Sequence, residues 1–149
     1  MLAFSTVITH IAYSLQSPSM RLRTLALELL AAISVLSVEQ GHKAVLAAMS
    51  DYRIVYEESF RFESLIGSLR LHDFDVDIVH EEESKFGHEE EGVWEARTAS
   101  MTLVNALTNC PESLEERILL RDEFGRRGLN EVIVVWTSLF EQAIFLTGG

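Results

Sequence analysis

Few residues of this 149-residue chain have the types and spacing that chemistry needs. His72, His80 and His88 stand among carboxylates in LHDFDVDIVHEEESKFGHEEEG, and imidazole with carboxylate is a ligand set for a metal-assisted hydrolase. They show no tight ligand spacing on a regular element, so a solvated acidic loop accounts for them better and no metal is expected. Asn109 and Cys110 with His42 do not make a nucleophile and base, because Cys110 ends an apolar helix as a core or cap residue would. Gly125 and Gly128 fall in a helix-ending RRG turn, not in a phosphate-cradling loop. Arg126 and Arg127 could touch an anionic partner, yet a helix C-terminus attracts arginine through its dipole in any case. No cofactor and no catalysis are expected; the polar residues that remain point to binding.

The binding residues are read from residues 17–37, SPSMRLRTLALELLAAISVLS, a helix apolar around most of its circumference. Ser17 or Ser19 can cap it and Pro18 supplies a fixed φ where no backbone donor is needed. Leu22, Leu25, Leu29, Leu30, Ile33 and Leu36 are expected to pack inward. One stripe is left over: Thr24, Glu28, Ala31 with its neighbour Ala32, and Val35, on one helix face. It starts polar and becomes small and shallow, so a partner's side chains could lie there.

The pattern returns 74 positions later in RTASMTLVNALTNC, where Arg23, Thr24, Leu29 and Ala32 recur as Arg97, Thr98, Leu103 and Ala106, with Leu107 as the closing apolar position. The matching stripe is Thr98, Thr102, Asn105 and Asn109. Two buried helices with aligned stripes predict an all-α, armadillo-like α-solenoid of about two repeats plus flanking helices.

Composition agrees with one such domain over 1–149. Hydrophobic residues make up 48%, enough for a core, yet no run reaches the roughly 18 uncharged apolar residues that span a bilayer. MLAFSTVITHIAYSL lacks the positive region of a secretory signal, and one cysteine excludes a disulfide framework, so an intracellular chain is expected. The net charge of −11 disfavours nucleic acid and anionic membranes and favours basic or neutral partners. Residues 71–92 hold −8 of that charge and are expected to form an exposed, partly disordered insertion.

In chain order, residues 2–15 predict a helix with Phe4, Ile8, Ile11 and Leu15 on one face. Gly41 reads as a stop or kink, His42 starts a helix with Val45, Leu46 and Met49 inward, and residues 52–70 read as a third helical segment. After NCPES, with Ser113 and Glu116 at capping-box spacing, residues 113–126 are expected to turn Leu114, Ile118 and Phe124 inward. Residues 129–146 are more apolar than an exposed terminal helix should be; another repeat covers them, or they self-associate.

The stretches SPSMRLRTLALELLAAISVL, GHKAVLAAM, YEESFRFESLIGSLR and EARTASMTLVNALTNCPESLEERILLRDEFGRRGLNEVI resemble the armadillo-repeat region of the diaphanous-related formins, the formin homology 3 or diaphanous inhibitory domain, with a fungal flavour. The resemblance implies a regulatory clamp that binds an amphipathic autoregulatory segment near the formin C-terminus and is released by a Rho-type GTPase, controlling actin assembly by a separate domain. Actin itself would be touched only indirectly, and the setting would be the cytoplasm, at the cytoskeleton or cell cortex. Carried over, the family's groove falls on Glu28, Ala32, Val35, Thr102 and Asn105. The sequence departs from the family at Glu28, where a member can carry a basic residue, and at Thr102, where a longer amide is familiar.

Two prolines cannot make a profilin-binding segment, and the GTPase-binding subdomain and first repeat would lie before Met1, so a partial formin is expected. The alternative is a scaffold or homodimerisation module that uses the apolar tail and not the groove.

Overall fold

The computed structural model describes residues 2–70 and 87–147, and the side-chain surroundings of 4–70 and 92–142. Helices α1 (Leu2–Tyr13), α2 (Met20–Leu36), α3 (Lys43–Val55), α4 (Glu63–Leu69), α5 (Gly87–Asn109), α6 (Leu114–Arg126) and α7 (Leu129–Thr147) follow one another, with no strand among the described residues. Most of the expected acidic insertion, 71–86 with His72 and His80, lies outside the described residues, while 87–92 already belong to α5.

Local chemistry sets the ends of these helices. The Ser19 hydroxyl accepts the Leu22 amide and starts α2, with Pro18 just outside the cap. Ser113 accepts the Glu116 amide and starts α6. Gly128, at φ 101°, reverses the chain between α6 and α7. Between α2 and α3 a π-helical turn (Val38–His42) carries Gly41, where an added Cβ would lie 2.1 Å from the Ile33 carbonyl oxygen. The kink read at Gly41 is therefore a close approach of two backbones.

Helix α2 lies against α5 along its length, α1 packs on α3, and α4 and α6 pack on α5. A Cβ at Gly92 would touch the sulfur of Met20 at the start of α2, and the His42 ring just beyond α2 meets the Leu107 carbonyl near the end of α5. The two helices therefore run parallel, as successive layers of an α-solenoid do. Leu30, Met49, Phe62, Leu69, Leu103, Leu107 and Phe124 fill the core between layers.

Three expectations are corrected. Residues 52–70 do not form one helix: α3 ends at Val55, and Glu57 (φ 54°) and Phe62 (φ 75°) take left-handed backbone before α4 begins. Leu114 and Ile118 point outward and only Phe124 of that trio is buried. On α2 the facing of the leucines is largely inverted, since Leu22, Leu25, Leu29 and Leu36 are exposed while Thr24 and Ala31 are buried with Ala26, Leu27 and Leu30.

The inversion has a physical cause. Thr24 and Ser34 return their hydroxyl protons to the Met20 and Leu30 carbonyls, so these polar groups are buried without loss of a partner. Truncating neighbours should separate the two faces: Leu30→Ala, at 0% exposure, costs about 2–5 kcal/mol, and Leu29→Ala, at 47%, costs less than about 1 kcal/mol. Parallel urea titrations read the difference directly, and equal costs would contradict the facing described here.

Candidate partner-binding surface

The surface is built from the outer faces of α2 and α5. On α2, Glu28, Ala32 and Val35 are exposed, flanked by Leu25 and Leu29. On α5, Thr98, Thr102, Asn105 and Asn109 are all exposed at successive helical turns. The predicted stripe on α5 is thus an outer face throughout; on α2, Thr24 and Ala31 of the predicted stripe are buried between helices.

The polar groups on this surface differ in what they can offer. Thr102 donates its hydroxyl to the Thr98 carbonyl at 2.9 Å, and Asn109 accepts from Arg121 at 2.6 Å. Asn105 makes no side-chain hydrogen bond among the described residues, so its amide is free to donate and accept. Glu28 has no ion pair among the described residues and places a negative charge beside the apolar residues.

The sequence reading missed the leucines of this face, although its own repeat contained the signal. Shifting Ala96, Ala99, Leu103 and Ala106 of α5, and Cys110 just after it, back by 74 residues gives Leu22, Leu25, Leu29, Ala32 and Leu36 of α2. Ala96 faces α2 across a cavity of about 230 Å³ that both helices line, and the others share its helix face. The exposed stripe of α2 is therefore the counterpart of the stripe that α5 turns toward α2.

The groups considered for catalysis are committed to structure. His42 is buried and its Nε2 lies 2.8 Å from the Leu107 carbonyl, to which it donates. Burial pushes the Cys110 thiol up, away from the thiolate that a nucleophile needs. In the cavity, burial also raises the Tyr52 phenol above its ordinary value, against the opposing hydrogen bonds from Gln16 and Ser64.

Parallel stacked helices with an exposed, partly apolar outer face define an armadillo-like helical module. The diaphanous FH3 domain family matches residues 42–143. Formin-F of Dictyostelium discoideum is 34% identical over 131 residues, which cover 87% of this chain and 9% of that protein. Human formin-like protein 3 is 30% identical over 136 residues, 87% of this chain and 11% of its own length. Human Disheveled-associated activator of morphogenesis 2 is 32% identical over 135 residues, 89% of this chain and 11% of its own.

The chain belongs to the diaphanous FH3 domain family of the formins. It is a regulatory module of that family and spans about a tenth of the length of these relatives. No described helix is long and apolar enough to cross a membrane.

Proposed function

We propose that the outer face of α2 and α5 binds the amphipathic autoregulatory segment of a formin C-terminus, and that this contact restrains actin filament assembly by the formin's own catalytic region. The observation that carries the reading is the exposure of Glu28, Ala32 and Val35 on α2 together with the polar Thr98, Thr102 and Asn105 ridge of the parallel α5. An amphipathic helix binds by laying its apolar face into such a groove. Ala32 leaves room for leucine side chains, Val35 adds apolar contact, and Asn105 hydrogen-bonds the partner.

A Rho-type GTPase releases the segment, mostly through parts of the formin outside this chain, and the work is done in the cytoplasm at the cytoskeleton or cell cortex. The module itself performs no catalysis. The net charge of −11 suits a basic autoregulatory tail. Titration with a labelled peptide from a related formin's C-terminal segment tests the reading: saturable binding supports it, and no binding by a folded chain removes it.

A second reading, self-association through α7, is favoured by the exposure of Val134, Val135 and Phe140 on that helix. It predicts a sedimentation coefficient that rises with concentration and stops rising when residues 129–149 are deleted. A concentration-independent value for the intact chain would dismiss it.

A further inference from the structure

A cleft of about 540 Å³ lies between the end of α3, the turn before α4, and α6, apart from the α2 and α5 surface. Arg53, Arg61, Arg126 and Arg127 line it, four of the chain's 12 lysines and arginines, with Glu123 as the one acidic lining residue. In a chain of net charge −11 this is a concentrated cationic spot. Its apolar lining is Ile54, Phe60 and Leu119, of which Ile54 is 74% and Leu119 62% exposed.

The four guanidinium groups are not equivalent. Arg61 is matched by Glu123, its Nε donating to Oε2 at 2.9 Å, and the solvent-facing Arg126 pairs with Asp122 at 3.2 Å. Arg53 donates to the Glu58 and Ser59 carbonyls, and Arg127 lies 4.5 Å above the Phe60 ring. Neither has a carboxylate partner among the described residues. Carbonyls and a ring face orient these two cations without neutralising them.

We propose that this cleft docks a short acidic segment of another protein, one whose carboxylates alternate with aliphatic or aromatic side chains. Carboxylates would meet Arg53 and Arg127, and the apolar side chains would cover Ile54, Phe60 and Leu119. The surface as a whole does not match a purely charged ligand: a phosphate or a polyanion would leave the apolar lining bare. The inference does not depend on the α2 and α5 groove.

The test is fluorescence anisotropy of the full chain with a labelled peptide alternating aspartate and leucine. The expected result is saturable, salt-sensitive binding that Arg53→Glu with Arg127→Glu weakens by about tenfold or more, and that Ala32→Asp leaves unchanged. A peptide alternating lysine and leucine should not bind. Arg53→Gln with Arg127→Gln, checked by circular dichroism, serves if the charge-reversed chain fails to fold. Unchanged affinity in the folded arginine variants, or no saturable binding by wild type, would overturn the proposal. Arginine-dependent binding to phosphatidylserine vesicles with none to the peptide would replace the segment with an anionic membrane.

Discussion

Ala32→Asp should weaken binding of the formin C-terminal peptide by about 2–4 kcal/mol, or roughly 30- to 1,000-fold, while the fold stays intact. Both parts of that expectation follow from where Ala32 sits. It is exposed on the outer face of α2, so an aspartate there remains solvated in the free chain and adds only a small helix-propensity cost. In the proposed complex the same carboxylate would be covered by leucines and lose its water without gaining a partner. Glu28, one turn before on the same helix, adds a like-charge cost of about 0.2–0.5 kcal/mol that is present in the free chain too and therefore shows in the melt. Calorimetric titration of wild type and variant, with thermal melts alongside, checks both parts. Equal peptide affinities with the variant still folded would remove Ala32 from the interface and the groove with it.

The second large effect concerns stability. Phe62 and Phe124 are both 0% exposed, and their rings stack with centroids 4.5 Å apart at an interplanar angle of 24°. The pair joins the turn before α4 to α6. Phe124→Ala should cost about 3–5 kcal/mol, since the cavity cannot collapse between helices held by other contacts. Against a total stability of about 5–15 kcal/mol this is a major fraction, and for a chain of this size it corresponds to a melting point lower by roughly 10 °C. A shift under about 2 °C would mean that α6 is not anchored through this ring.

Breaking the nearby Arg61–Glu123 pair should matter much less. The pair is bidentate, but both side chains are about a quarter exposed, so the group left behind by a substitution can reach water, whereas the space left by Phe124 cannot be filled. Phe62 also holds its backbone at φ 75°, a conformation that a bulky residue rarely takes and that burial of its ring here maintains.

The fold class and the recurrence of one helix type were legible because two features repeat at a fixed distance: an arginine–threonine start and small residues at matching turns. The face of α5 was legible for a different reason. Thr98, Thr102, Asn105 and Asn109 are polar, fall on one side, and face solvent. The face of α2 was not, because a helix stacked between layers has apolar residues on more than one flank. Periodicity counts leucines without saying which flank a neighbour covers. Thr24 and Ser34 compounded the error, since their hydroxyls satisfy themselves on the helix backbone and so can be buried. The break at 56–62 escaped notice because no glycine or proline marks it; the left-handed residues are Glu57 and Phe62.

The arginine cleft could not be read from the sequence either. Arg53 and Arg61 come from the end of α3 and the turn beyond it, Arg126 and Arg127 from the end of α6, and the contacts Phe62–Phe124 and Arg61–Glu123 between that turn and α6 bring them together.

The leucine stripe of α2 bears on how such a stack holds itself together. Each layer is coupled only to the layers beside it, so free energy passes along the array by nearest neighbours and not through one shared centre. Here that coupling runs between α2 and α5 along their parallel length. For this architecture the number of coupled layers, more than any single contact, governs how cooperatively the chain melts.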